Sequence, residues 1–445
     1  MVFLTGGSSR ADVNSLALLR PVAVILSGVA IWTLRKEHII AHRILVVTAC
    51  LSLLLVCAYL VPLPRFIWVL LPNHPVAIEV AQVAHLGWDF SPAAVVPNGG
   101  LNSLFSLFIP ICVLLLAAQL TREEKFRLLP VLIALLLASG LLGLLQVIGD
   151  AQSPFYTYRI TNNGSAVGLL ANRNHQAVLL AMLFPMLAVY AAIGRRRANQ
   201  QTYGVYFAIF AALVLIPLIL VTGSRAGLVL GAFAIISAFM LYRKPGSIGW
   251  RIWLSGTAVV TLGLLTALLS RAEALQRLVD TEELDGSRAQ FWKPLIDLSG
   301  SYFPVGYGPG GFAENYAMVE PKRLLDSTYL NRAHNDWLEL YASFGLAGLL
   351  VAVASLVMLL WFCRWTIAYR KDQTREAMFA RLGMLMLAIM AMASVVDYPL
   401  RTPIFSALFV IACVWAAGAR TTFAAETYNR VENGGKNVPS SLATG

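Results

Sequence analysis

The chain has 445 residues, 58% of them hydrophobic and only 13% charged, with a mean hydropathy of +0.70. An ordinary soluble domain carries roughly a quarter charged residues, so this balance excludes one and indicates a protein embedded in a bilayer. The formal net charge of +11 sits mostly in short loops between apolar stretches. It is a topological signal, and no nucleic-acid partner is read from it.

A spanning helix needs about 20 mainly apolar residues, and about eleven stretches qualify, within a range of ten to twelve. In chain order they are 15–34, 43–62, 101–120, 128–148, 174–193, 203–221, 226–242, 252–270, 338–361, 379–396 and 403–419. The first reads as a retained anchor, because no basic region leads into a short apolar core with a small-residue cleavage site. The expected fold class is therefore all-α, a polytopic integral membrane protein. Cys50, Cys57, Cys112, Cys363 and Cys413 all fall in or beside these stretches, where cysteine behaves as a small hydrophobe. Neither a disulfide framework nor a metal site is expected, and no cofactor is implied.

The chain divides into an N-terminal set of spans over 1–149, a transmembrane core over 150–420, and a polar cytoplasmic tail over 421–445 with the composition of a disordered segment. Within the first unit, segment 63–100 is rich in Pro and Trp and reads as interfacial. Orientation follows from the basic residues, since Lys and Arg in short loops stay on the cytoplasmic side. Arg35-Lys36, Arg43, Arg122, Lys125, Arg127, Arg195 to Arg197, Arg243-Lys244, Arg251 and the run from Arg364 to Arg381 lie in alternate loops. Parity puts the N-terminus, 63–100, 149–173, the turn 222–225, the long loop 271–337 and the turn around 397–401 on the opposite side, the periplasmic one in a bacterial inner membrane.

The long loop opens with RAEALQRLVDTEELDGSRAQFWKPL, whose alternation of apolar and charged residues predicts two short surface helices. GYGPGGF follows, Gly306 to Phe312. Its Gly and Pro density opposes regular structure and lets backbone approach a ligand closely, which makes Gly308 and Gly310 candidate substrate-binding residues.

Three residues carry the case for chemistry. Arg225, in VTGSRAGLVLG, lies at the outer end of a span, where an arginine costs about 2.5–3.5 kcal/mol on insertion scales and calls for an anionic partner. Gly223 and Gly227 beside it leave room for a bulky ligand; the competing reading is an anchor that snorkels outward. Arg288, in DGSRAQFW, lies four residues before Trp292, and spacing alone equally allows a solvated arginine paired with Asp285 or Asp297. His334, in RAHNDWLEL, is a candidate general base, because histidine as a residue type can accept a proton near neutral pH. Asp336 with Glu339 three residues later also fits a helix-capping pattern that His334 would simply precede.

Other polar residues share that face. Arg173 and His175, in LLANRNHQA, begin a span, and Arg173 is a further candidate substrate contact, as is Asn335. Asp397 and Arg401, in VVDYPLR, read as an ion pair fixing the turn between the last two spans. On the opposite face His38 and His42, four apart, read as solvated loop residues.

His334-Asn335, then nine residues, then Gly345-Leu346 with Gly348 after them, resembles the signature of the O-antigen ligase and polymerase superfamily. The resemblance covers roughly 160–415, with its motifs in about 222–350. It implies a membrane enzyme that moves glycan from an undecaprenyl diphosphate-linked donor to an acceptor hydroxyl, on lipid A core or on another glycan. It also implies an arginine at the place of Arg288 and a Gly-rich turn ahead of the His motif, both present here. Superfamily members often have twelve spans with both ends cytoplasmic, whereas this count gives about eleven; either 66–86 inserts or the first span is misplaced.

Such a transfer needs a base for the attacking hydroxyl and cations for the departing diphosphate. Arginine suits the second task through its planar fork. No D-x-D pair stands on the outer face, so the expected reaction is metal-independent, and one displacement without a carboxylate nucleophile inverts the anomeric centre. Ligase and polymerase differ only in acceptor and stay open. A rival from another class is a non-enzymatic transporter or flippase of lipid-linked sugars, which would line its spans with charge at mid-depth. These spans are almost free of charge.

Overall fold

The computed structural model describes residues 1–72, 75–85, 89–149, 151–194, 201–242, 289–325, 329–368 and 372–417. Among the described residues the chain is helical apart from one small hairpin, and nine helices are long and apolar enough to cross a bilayer. The fold is all-α and polytopic. The expected span 252–270, the basic residues Arg195 to Arg197, Arg243, Lys244 and Arg251, the first half of the acidic stretch, Arg288 and the tail from 421 lie outside the described residues.

In chain order, α1 (Val2–Thr5) precedes α2 (Asn14–Thr33), and α3 (Lys36–Ala41) turns the chain into α4 (Arg43–Leu60). Strands β1 (Pro62–Pro64) and β2 (Phe90–Pro92) pair antiparallel around the short helices α5 (Arg65–Trp68) and α6 (Pro75–Val83). At 1.5 Å per residue α6 reaches only about 14 Å, half of what a bilayer requires. Among the described residues no helix in 66–86 is long enough to span.

Helix α7 (Pro97–Gln119) starts four residues before the expected span because Pro97 supplies a preset first turn. Helix α8 (Arg122–Ile148) starts six residues early for a different reason. The Thr121 hydroxyl accepts the Glu124 amide, and the Glu124 carboxylate accepts the Thr121 amide at 2.8 Å, a reciprocal cap on the charged first turn.

Helix α9 (Arg173–Gly194) is the centre of the bundle, packed by α8, α10 (Gln201–Val221), α11 (Arg225–Tyr242) and, later in the chain, α15 (Arg375–Val396). Ala177, Leu179, Met182, Leu183, Met186 and Val189 cover all its faces and are fully buried, as an all-round apolar helix must be. Lipid tails are as apolar as leucine, so helix association here rests on close packing of small residues. A Cβ on Gly227 would lie 2.3 Å from the Ala177 Cβ, and one on Gly383 would lie 2.4 Å from the Ala412 carbonyl oxygen. The space expected around Gly227 is thus filled by α9 and is not left for a ligand.

Of the long loop, the described part holds α12 (Ala289–Ser301), the irregular run 302–311 and α13 (Phe312–Ala317). Helix α14 (Asp336–Ala368) follows, and it is not one continuous rod: Gly345 adopts φ 54°, ψ −125° and breaks it. The nine residues of the motif are the first leg, and Gly345-Leu346 is the break. Pro304 sits in that break, its carbonyl accepting the Leu346 amide at 2.8 Å, while Tyr307 and Gly308 donate to the carbonyls of Ala342 and Ser343. Helix α16 (Pro403–Ala417) closes the described chain.

The N-terminal strap reaches across the same end of the bundle. Gly6 accepts the Ile404 amide at 3.1 Å, Gly7 accepts that of Ala171 at 3.0 Å, and Gly7 donates to the Tyr158 hydroxyl. The N-terminus therefore lies at the end that holds 151–172, 302–325, 329–335 and 397–402, in agreement with the parity of the basic loops. At the other end, His42 is not a solvated loop residue. It is buried, its Nε2 lies 3.0 Å from Lys125 Nζ, and burial first, then Lys125, pushes it down to about 4. His38 accepts the Arg35 amide through Nδ1.

Gly345 provides a direct check on this architecture. A Cβ there would stand 2.1 Å from the Pro304 carbonyl oxygen in a left-handed backbone, a conformation that costs about 1–3 kcal/mol for other residues even without a clash. Gly345→Ala is expected to lower the thermal unfolding midpoint of the detergent-purified protein; an unchanged midpoint would contradict the broken helix.

Candidate functional site

Four helix ends meet at the end of the bundle that carries the strap: the starts of α9, α11 and α14 and the finish of α15. Helix α14 is capped by the residue just before it. Asn335 Oδ1 accepts the Leu338 amide at 3.0 Å, and its carbonyl accepts the Glu339 amide, so Asn335 is the N-cap. The expected pairing of Asp336 with Glu339 as a cap is displaced by one residue. Glu339 instead reaches back to accept the Ala333 amide at 3.1 Å and Arg332 Nη1 at 2.9 Å. Trp292, on α12, donates its indole N–H to the Ala333 carbonyl at 3.2 Å. The backbone just before His334 is pinned on both its amide and its carbonyl.

Held this way, His334 takes φ 48°, a left-handed conformation that costs an L-residue roughly 1–2 kcal/mol and that histidine visits more readily than most. Its Nδ1 comes to 3.5 Å from Asp397 Oδ1, with the imidazole 21% exposed and the carboxylate 3% exposed. The ring also meets Tyr398 edge to face, centroids 4.8 Å apart. An accessible imidazole backed by a buried carboxylate is the arrangement by which a base is oriented and its protonated form stabilised.

Asp397 follows α15 directly and is not paired with Arg401, contrary to the sequence expectation. Its Oδ2 accepts Asn174 Nδ2 at 2.9 Å and its Oδ1 accepts the Tyr398 amide, while His175 Nε2 stands 3.4 Å from the same Oδ1. Arg401 turns to α14, with Nε 3.1 Å from Asp336 Oδ1 and Nη2 3.6 Å from Glu339 Oε1. Ser394 completes the set by donating to Asp336 Oδ2. Burial opposes the Arg401 charge, but Glu339 and Asp336 outweigh it and hold its pKa above the ordinary value. Two arginines and two carboxylates thus form a closed, neutral cluster behind the His334–Asp397 pair.

The remaining expected residues are carried by other elements. Arg225 is the first residue of α11, after a turn in which Gly223 has φ 63° and Ser224 Oγ accepts the Gly227 amide. Arg173 is the first residue of α9, its amide donating to Asn162 Oδ1. Both arginines therefore stand at the positive end of a helix dipole, where backbone amides and dipole favour an anion. Gly308 and Gly310 lie at φ 89° and 76°, and the close approach they permit is to the chain itself. A Cβ on Gly308 would be 2.7 Å from Ala94 Cα, and one on Gly310 would be 2.1 Å from the Gly99 carbonyl oxygen. Arg288 lies outside the described residues, though Trp292, four residues on, touches Ala333.

A cavity of about 1280 Å³ opens beside the site between α14, α15, α16 and residues 40–45. Trp337, Leu340, Leu387, Met390 and Phe409 line it, with Asp336 and Arg401 at one end and His42 and Arg43 at the other.

Residues 210–353 match a family model described as O-antigen ligase. That stretch contains Arg225, His334, Asn335 and the Gly345 break, whereas Asp397, His175 and Arg173 lie outside it. No curated protein matches the chain. The matched stretch, about a third of the chain, is similar to the O-antigen ligase family, the same family that the His334-Asn335 motif resembles.

The closed charge cluster makes its own prediction. Removing one partner of a buried pair strands the other and typically costs about 3–5 kcal/mol. Arg401→Ala, which strands Asp336 and leaves Glu339 to Arg332 alone, is expected to reduce both the unfolding midpoint and the amount of protein in membranes, while Arg401→Met with Asp336→Asn, which keeps the Arg332–Glu339 pair, recovers part of the loss. A single mutant as stable as wild type would show that the cluster does not hold this end together.

Proposed function

We propose that this protein transfers a glycan from an undecaprenyl diphosphate-linked donor to an acceptor hydroxyl in cell-surface polysaccharide synthesis. The active site then faces the periplasm from the bacterial inner membrane. The observation that carries the reading is the partly exposed His334 imidazole standing 3.5 Å from the buried Asp397 carboxylate.

In this mechanism the acceptor hydroxyl gives its proton to His334 Nε2 as its oxygen attacks the anomeric carbon. The bond from that carbon to the carrier oxygen breaks, and the electron pair leaves on the diphosphate. His334 Nδ1–H faces Asp397, which fixes the tautomer and steadies the imidazolium as it forms. Arg225 and Arg173, at two helix N-termini, and Arg288 receive the developing negative charge through paired hydrogen bonds. With cations supplied by guanidinium groups the step is written without a metal, and a single displacement inverts the anomeric configuration. The apolar cavity along α14, α15 and α16 suits the isoprenoid tail, with its headgroup end toward Asp336 and Arg401. The acceptor is lipid A core for a ligase or a carrier-linked repeat unit for a polymerase; the same base serves either.

Loss of a general base costs about 10²–10⁴ in rate. His334→Ala is expected to abolish product from purified protein and a synthetic polyprenyl diphosphate glycan while the protein stays abundant in membranes. In the same assay, run with EDTA, Arg225→Lys and Arg288→Lys keep charge but lose the planar fork, so activity falls substantially. Wild-type turnover by His334→Ala removes it from the mechanism. Full activity of both lysine variants would reduce the arginines to anchors, and activity lost on chelation but restored by a divalent ion would overturn leaving-group stabilisation by arginine alone.

A further inference from the structure

His334 is not the only imidazole on Asp397. His175, on the first turn of α9, is 1% exposed, and its Nε2 lies 3.4 Å from Asp397 Oδ1, the same oxygen that His334 Nδ1 meets at 3.5 Å. Buried polar nitrogens require a partner, and neither ring nitrogen of His175 makes a hydrogen bond of ordinary geometry among the described residues. Two aromatic rings lie against it: Tyr398 edge-on with centroids 5.1 Å apart and Phe405 at 6.0 Å. Asp397 is thus the acceptor toward which His175 is turned.

Oδ1 has two lone pairs, and the Tyr398 amide already takes one at 3.0 Å. The two imidazoles compete for the other. When His334 accepts the acceptor's proton, its Nδ1–H becomes charge-assisted and wins that contest. While it is neutral, the carboxylate faces α9, with Asn174 bonded to Oδ2 and His175 Nε2 standing 3.4 Å from Oδ1, beside the Tyr398 amide. We infer that His175 is a positioning residue for the transfer: it donates from Nε2 to Asp397 and keeps that carboxylate aimed at His334 without touching substrate. This rests on the reading of His334 as the base.

The test separates reach from polarity and fold. A glutamine amide extends to about the place of the histidine Nε2, whereas an asparagine amide stops near that of Nδ1. The purified full-length variants are assayed on the same synthetic polyprenyl diphosphate glycan, beside His334→Ala. His175→Asn and His175→Leu are expected to lose about a hundredfold in kcat, the scale of a base misplaced by about 1 Å, with KM nearly constant. His175→Gln is expected to recover at least tenfold of that loss. Because the effect passes through Asp397, His175→Asn on an Asp397→Asn background should cost less than about threefold more.

Equal kcat for the Asn and Gln variants, losses that multiply with Asp397→Asn, or a change confined to KM would each overturn the inference. The Asn and Gln pair decides even where the Leu variant fails to accumulate. An inactive His334→Ala beside fully active His175 variants would sink His175 alone. An active His334→Ala would sink the base, and the positioning role with it.

Discussion

A carboxylate buried at the end of a membrane bundle has to find its countercharge inside the protein, and that requirement organises this molecule. Asp336 and Glu339, on the first leg of α14, are closed by Arg332 and Arg401. Glu339 also holds the Ala333 amide, so the cluster that neutralises α14 fixes the backbone from which His334 projects. Arg401 comes from the turn after α15, and Asp397 from the other end of that turn. Charge compensation and the placement of the histidine's carboxylate are one piece of geometry.

The break at Gly345 serves the same arrangement. A continuous helix would leave no place for the Pro304 carbonyl or for the run 302–310 that lies over the first leg. With the break, Tyr307 and Gly308 bond to Ala342 and Ser343, and Gly308 and Gly310 pack in turn on Ala94 and Gly99. The Gly-rich turn is a structural clamp between the loop before the motif and the start of α7. The N-terminal strap, bonded to Ala171 and Ile404, ties α9 and α16 at the same level. Asp397 therefore sits between elements that are each fixed independently.

Much of this fold was legible in the sequence because bilayer thickness sets helix length, and every expected span among the described residues became a helix. Some boundaries moved because local chemistry extended a helix, as at Pro97 and Thr121. The His334-Asn335 to Gly345-Leu346 spacing was also legible, as the length of a helical leg between cap and break. The carboxylate behind His334 was not, since Asp397 is 63 residues away and only the packing of α14 on α15 brings the two together. Asp397 was read with Arg401 because the two are close in sequence, yet the turn points them to opposite partners. His175 gave no signal beyond its place at a span's start, and the room expected beside Gly227 was lost to a helix that sequence cannot dock.

The central claim is that the donor's diphosphate lies at the helix-end cluster around His334. A photoreactive polyprenyl diphosphate analogue, crosslinked to the protein in membranes and mapped by mass spectrometry, tests it most directly. The account predicts labelling of peptides containing Arg173, Arg225 and Arg332 to Asn335, competed away by unlabelled carrier. Labelling confined to the opposite end of the bundle, around His42 and Lys125, would contradict it.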